Sequence, residues 1–454
     1  MKHLPLLLAA LLMSSICMFS HSALAAISMH VTVDTRIIPF KESVNVPPDS
    51  LENLDITLSD DYLALVSDKS TKIFDLKKRK FLILDNKTRT YVDYSLFAIV
   101  GFRNMEFQNR QMMNVLGNKL ISDKPKQDNI SWSGQSTIDN EHNLGMTFPG
   151  LSTKIGETIK GKERVFSNGN RQLASWSRDG FAVDPADAER FSGFIRYRLA
   201  GHPEILKKLA AGKIIPKKLL FMFVDVKKTN CTMVISDLRH IDPEPYDISA
   251  YTKRKADQSS DKIDEALDLA ESLTPEIAEA VKASKRSAVE QQFRDGKVFD
   301  AFLGLNELIL MGDPIPVYSN ERLALARADH SVIRFTTAMQ AKTEGELRAA
   351  IATFVDLRSQ ASTNAYMLKL YEATERRRLH EFDKATRLFL EVLQANRSLA
   401  GAYKDLGDLL YIKYDAPRAW RCWDIGRILA PHFKYFSPLN EYEKSLVEKF
   451  PEYF

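Results

Sequence analysis

The chain has 454 residues, with 63 Lys and Arg against 59 Asp and Glu and a formal net charge of +4. Such near balance gives no electrostatic reason to expect nucleic acid or an acidic membrane surface as a partner. With 44% apolar and 27% charged residues the composition is that of a globular protein, not a disordered one, and the length predicts about two or three domains.

The first predicted element is a leader. Lys2 and His3 precede an apolar run from Leu4 to Phe19, and Ala23-Leu24-Ala25 places small residues where a signal peptidase reads them. Residues 1–25 are therefore expected to be a cleaved secretory signal, and the remainder to work in the periplasm or outside the cell. The run is too short for a membrane anchor, and no later stretch is long and apolar enough to form an integral span. Cys17 follows Ile16 inside the apolar run, which argues against a lipid-modified start. Processing leaves only Cys231 and Cys422, so the core and not a disulfide framework must hold the protein together. The two thiols are expected to be buried singly, the alternative being one bridge between domains. Asn-x-Ser/Thr sequons begin at Asn86, Asn129, Asn230 and Asn396 and matter only where the host glycosylates them.

Residues 26–254 alternate in the manner of an antiparallel sheet. Strand candidates are Ile56–Leu58, Tyr62–Val66, Thr71–Phe74, Lys80–Leu84 and Arg89–Val92, separated by Asp, Asn, Ser and Lys turn clusters. Strands this closely spaced must pair antiparallel, because a parallel return needs a dozen or more residues. Asn168-Gly169 predicts a hairpin between Val165-Phe166 and Leu173–Trp176. A helical interruption is predicted from Pro185 to Leu209, followed by strands at Leu219–Val226 and Thr232–Leu238. Gly156–Lys162 has the Gly-x-x-x-x-Gly-Lys spacing of a phosphate loop, but Glu163 replaces the metal-binding hydroxyl, so a surface hairpin is expected instead.

The rhythm of Asp61-Tyr62, Ile73-Phe74-Asp75, Leu84-Asp85 and Lys87-Thr88-Arg89-Thr90-Tyr91 resembles that of the periplasmic lipoprotein carriers and their relatives. The resemblance covers some 70 residues, about a third of this half. It implies a curved sheet wrapped around a helix, with an apolar cup for a lipid or other apolar small molecule.

A polar stretch, Tyr251–Lys262, marks a change of grammar, and residues 255–454 are read as an all-α array of helical hairpins. Thr274-Pro275-Glu276 supplies a cap and a first-turn proline for one helix. Ala350 with Phe354, Ala385 with Phe389, and Ala419 with Trp423 repeat a small–aromatic pair at i and i+4, with steps of 35 and 34 residues. Within Ala400–Phe433, the positions Tyr403, Leu406-Gly407, Leu410, Ala419, Trp423, Gly426 and Pro431 resemble a tetratricopeptide repeat. The resemblance implies that the first helix of each unit lines a concave groove. By register this assigns Leu370, Thr374, Arg377, Lys404, Asp408 and Tyr411 to partner binding, and the mixed charge suits a protein or peptide partner in the cell envelope. An insertion at Asp313–Pro316 interrupts the array. A closing helix is expected at Pro438–Lys449, with most of the rings of Phe433, Tyr435, Phe436, Tyr442, Phe450, Tyr453 and Phe454 capping the open end, the alternative being a docking patch for a partner.

Motifs of catalysis are missing. No zinc helix, nucleophile elbow, Cys-x-x-Cys pair or calcium loop is present, and the histidines are scattered, so no catalytic, cofactor-binding or metal-ligating residue is assigned. His202 and His240 are the one pair that folding of the first domain could bring together; Asp60-Asp61 and Asp242-Pro243-Glu244 read as solvated turns. Three functions follow: an exported interaction protein working through the array; a carrier of an apolar ligand in the first domain; an envelope hydrolase, for which a triad assembled across the fold would leave no trace in sequence.

Overall fold

The computed structural model describes residues 26–39, 47–122, 146, 154–224, 227–255, 261–314 and 319–454. The leader at 1–25, the sequon at Asn129 and His142 lie outside these residues. The architecture is an antiparallel α+β domain followed by a helical array. The chain divides into two compact units: one holds the residues up to Leu96, Arg103–Lys253 and Val447–Phe454, and the other holds Phe97–Phe102 and Arg254–Leu446.

The first unit is built on a curved sheet of twelve strands. In chain order they are β1 (Ala26–Pro39), β2 (Ser50–Leu58), β3 (Tyr62–Val66), β4 (Ser70–Asp75), β5 (Lys80–Asp85), β6 (Thr90–Ser95), β7 (Gly156–Lys160), β8 (Glu163–Asn168), β9 (Arg171–Ser177), β12 (Lys218–Val224), β13 (Lys227–Ile241) and β14 (Thr252–Lys253). The short pair β10 (Gly180–Ala182) and β11 (Ile214–Pro216) stands apart. The sheet order is β14-β6-β5-β4-β3-β2-β1-β13-β12-β9-β8-β7. All pairings are antiparallel except β14 on β6, a two-residue parallel addition at the edge. At the centre β1 pairs with β13 from Ala26↔Ile241 to Pro39↔Lys227. Ile27, Met29, Val31 and Val33 of β1 are buried while Ser28, His30, Thr32 and Asp34 are half-exposed, the period of two that a sheet covered on one face imposes.

The two turns that follow β4 and β5 repeat one device. Asp75 accepts the Lys78 amide and Asp85 accepts the amides of Lys87 and Thr88, while Arg79 and Arg89 take positive φ before the next strand. The phosphate-loop look-alike is a hairpin: β7 pairs with β8 around Gly161, at φ 59°, and Lys162. Asn168-Gly169 turns β8 into β9, again with positive φ at the glycine.

Three helices lie among the strands in sequence: α1 (Leu96–Ser122), whose Phe97–Phe102 segment belongs to the second unit, α2 (Pro185–Leu199) and α3 (Pro203–Ala210). The predicted single helical stretch at 185–209 is broken because Ala200 and Gly201 adopt φ of 65° and 111°. His202 then caps α3 through Nδ1, which accepts the Glu204 amide. The two-faced apolar pattern of β5 has a direct packing reason. Leu82 and Leu84 pack with Tyr62, Ala64 and Ile73 under Tyr246, Ile248 and Tyr251. Phe81 stacks on Phe74, which meets the Tyr197 ring of α2.

The second unit runs α4 (Lys262–Ala270), α5 (Pro275–Arg294), α6 (Val298–Leu310), α7 (Asn320–Ala328), α8 (His330–Ala338), α9 (Glu344–Leu357), α10 (Ala365–Arg378), α11 (Phe382–Ala395), α12 (Ala400–Ile412), α13 (Ala416–Leu429) and α14 (Ser437–Lys449). Neighbours in sequence pack on one another: α5 on α6, α9 on α10, α10 on α11, and most extensively α12 on α13. Thr274 caps α5 with Pro275 in its first turn. The three small–aromatic pairs, from Ala350 and Phe354 to Ala419 and Trp423, are all buried. The rings near the end of the chain divide. Tyr435, Phe436 and Tyr442 pack within the array, whereas Tyr453 belongs to the first unit, its ring edge-on to Tyr197. Cys231 and Cys422 are buried free thiols.

Candidate functional site

Two helices of the array approach closely where the repeat signature places its glycine. A Cβ on Gly407 of α12 would lie 2.4 Å from Nε1 of Trp423 on α13, so only hydrogen fits there. The indole N–H donates to the Lys404 carbonyl and to Asp408 Oδ1, both at 3.2 Å. Asp408 also accepts from Lys404 Nζ at 2.6 Å and from the Arg377 guanidinium at 3.3 Å. One carboxylate thus ties α10, α12 and α13 together and draws three of the six predicted groove residues, Arg377, Lys404 and Asp408, into a single cluster. Their side chains keep 15–24% of their surface open to solvent.

The other three are placed differently. Leu370 is a core residue at 1% exposure. The Thr374 hydroxyl donates back to the Leu370 carbonyl one turn earlier in α10. Tyr411 donates to the Gly101 carbonyl at 3.1 Å and lies 2.8 Å from the Tyr442 hydroxyl. Gly101 itself packs against Trp420, where a Cβ would be 2.3 Å from the indole. The short segment Phe97–Phe102 is therefore a packed member of the helical unit, and it fills the Tyr411 end of the row.

Beneath the cluster lies Asp405, which sequence reasoning did not single out. It is buried, and burial pushes its carboxyl up to about 6, with the Asp408 charge adding to the rise and Arg377, Lys404 and the Tyr435 hydroxyl opposing it. Tyr435 donates to Asp405 Oδ1 at 2.8 Å, and Lys404 lies over the Tyr435 ring at 5.0 Å. Lys404 thus touches both an acid and an aromatic face. Nothing local in the sequence marks Asp405, and the sequence reads Tyr435 only as a capping ring; the two meet across 30 residues.

No protein-family model matches the chain, and no curated protein matches it.

The first unit holds a second polar constellation. A cleft of about 300 Å³ is lined by Asp60, Asp61, Asp75, Lys77, Lys78 and Tyr246, among others. Three of its acids are engaged: Asp60 by Arg190, Asp61 by Lys77, and Asp75 by Lys78 and the Tyr246 hydroxyl. Arg190 continues to the fully buried Asp187, whose Oδ2 lies 2.8 Å from His240 Nε2. His202 and His240, the pair the sequence offered, thus take different partners. A His–Asp pair is half of a hydrolytic relay, but among the described residues no Ser or Cys side chain hydrogen-bonds to His240. Among the described residues no three His, Cys, Asp or Glu side chains converge on a metal-sized site, and no helix is long and apolar enough to cross a membrane.

Proposed function

We propose that this is an exported interaction protein that binds a protein or peptide partner in the cell envelope through a tetratricopeptide-like helical array, with the β-rich domain as a second surface. The observation that carries the reading is the Gly407–Trp423 contact, which sets α12 and α13 at the close spacing the repeat signature demands and leaves Arg377, Lys404 and Asp408 side by side at the surface. Export rests on the leader-like residues 1–25. A cluster of two cations and one anion beside an aromatic ring suits a peptide carrying its own charges, because such contacts select register and partner.

The test is crosslinking of the tagged protein in its native envelope, followed by mass spectrometry, beside the variant Arg377→Glu with Lys404→Glu. A specific protein adduct in the wild type that is lost in the variant, with the helical thermal transition retained, is the expected result. An adduct equally abundant in the variant would move binding off this surface. A purification that returns bound lipid and no protein adduct would favour the carrier reading instead.

A further inference from the structure

A cleft of about 340 Å³ opens elsewhere in the array, among α4, α11 and the start of α12. Its apolar wall is formed by Ala266, Leu269 and Leu390, and Leu269 is 49% exposed although its neighbour Leu267 is fully buried. Lys262, Arg387 and Arg397 stand at its rim. None of the three forms an ion pair or a hydrogen bond among the described residues, whereas Glu391, an acid of the same wall, is neutralised by Lys369 at 2.9 Å. Glu265 is the remaining acid, so the cleft carries an excess of positive charge.

Exposed cations alone are ordinary. Tyr403 is what singles the cleft out. This residue lines the cleft and is 0% exposed, yet its hydroxyl has no hydrogen-bond partner. Buried hydroxyls are almost always paired, because one stripped of water and left unbonded is costly. Burial and the neighbouring Cys422 push the phenol above its ordinary range, against Arg397, so at neutral pH it remains a donor in need of an acceptor.

From the unpartnered Tyr403 hydroxyl, the unpaired cations above it and the apolar wall beside it, we infer that this cleft binds a small carboxylate with an apolar tail. The carboxylate accepts from Tyr403 and from the Arg397 guanidinium, and the tail covers Leu269, Ala266 and Leu390. The volume lies near the lower end of the roughly 300–1,000 Å³ of small-ligand sites, which limits the tail to a short one. This ligand is distinct from the protein partner proposed above, and the site stands or falls independently of it.

The experiment is calorimetric titration of the full chain with octanoate, with acetate and octylamine as controls for tail and charge, repeated on Tyr403→Phe and Arg397→Gln. Octanoate should bind the wild type, and each variant should lose about tenfold or more in affinity, the scale of one hydrogen bond to a charged group. Tyr403→Phe should also raise the melting temperature of the ligand-free protein, because it removes a hydroxyl that the free protein leaves unpaired. A purely structural tyrosine predicts no change in binding. Absence of octanoate binding to the wild type overturns the assignment. So does unchanged affinity in Tyr403→Phe, or binding of acetate or octylamine as tight as that of octanoate.

Discussion

At the scale of single residues, Asp405 is the most consequential side chain in the array. Its carboxyl is pushed up to about 6 by burial, from an unfolded value near 4. A raised folded value means that the native state holds a proton the unfolded state has already released. Stability from this group is therefore fully present below about pH 4 and is lost as pH rises through about 6. Measured against Asp405→Asn, which does not titrate, the wild type should lose on the order of 2–3 kcal/mol of relative stability between pH 4 and pH 6.5. Urea unfolding of both proteins across that range checks it, and parallel curves would show that Asp405 is solvated. Asn396 makes a similar point about reading residues in isolation. It begins a sequon, yet its side chain is buried and donates to Glu307 at 2.5 Å, so glycosylation there is incompatible with the folded array.

At the scale of elements, the helices show which caps a sequence can display. Thr343 and Glu346 form a capping box that is local and legible, and Thr274 with Pro275 starts α5 as expected. Helix α10 has no side-chain cap of its own. Its N-terminus is instead served from α6 by Asp300, which accepts the amides of Ser362, Thr363 and Asn364 at 3.0–3.3 Å. Burial opposes ionisation of Asp300, but these bonds outweigh it and hold the carboxyl below the usual carboxylate range. A lowered folded value gives stability that is present above about pH 4 and is lost as pH falls below that, through the lowered folded value. Asp300→Ala should cost about 1–3 kcal/mol at pH 7, because it strands several amides at once, and the cost should shrink in acid. Denaturant melts at pH 7 and pH 3 would show it; an equal cost at both would mean that charge plays no part. The repeat register was legible because an alanine and an aromatic four apart must share a helix face, and Ala385, Phe389, Ala419 and Trp423 do so. The Asp300 cap was not, since 62 residues separate donor and acceptor.

At the scale of the whole molecule, the last eight residues belong to the sheet unit. Tyr453 is fully buried there. Arg103 donates to its hydroxyl at 2.5 Å, Tyr197 donates to its carbonyl, and Arg196 donates to the Glu452 carbonyl at 2.8 Å. Tyr453→Ala should therefore destabilise the first unit by about 3 kcal/mol. Hydrogen exchange in α2 should quicken, with α9 and α10 unaffected. Faster exchange confined to the array would contradict this placement.

The sequence by itself determined the local grammar of this protein. Period-two strands, Asp-closed turns, positive-φ glycines and i, i+4 helix pairs depend on residues within one element, and these followed from spacing alone. Only the tertiary structure decided which strands became neighbours across the long β1–β13 ladder, that Asp408 gathers Arg377 and Lys404, that Gly101 seats against Trp420, and that Tyr403 is buried without a partner. Each of these is a meeting of residues brought together from different elements, and whether a polar group is paired, stranded or charged depends on that meeting and on the water it excludes. The physical reason is that periodicity encodes which face of an element is buried, whereas the chemistry of a site is set by what the other elements place against that face.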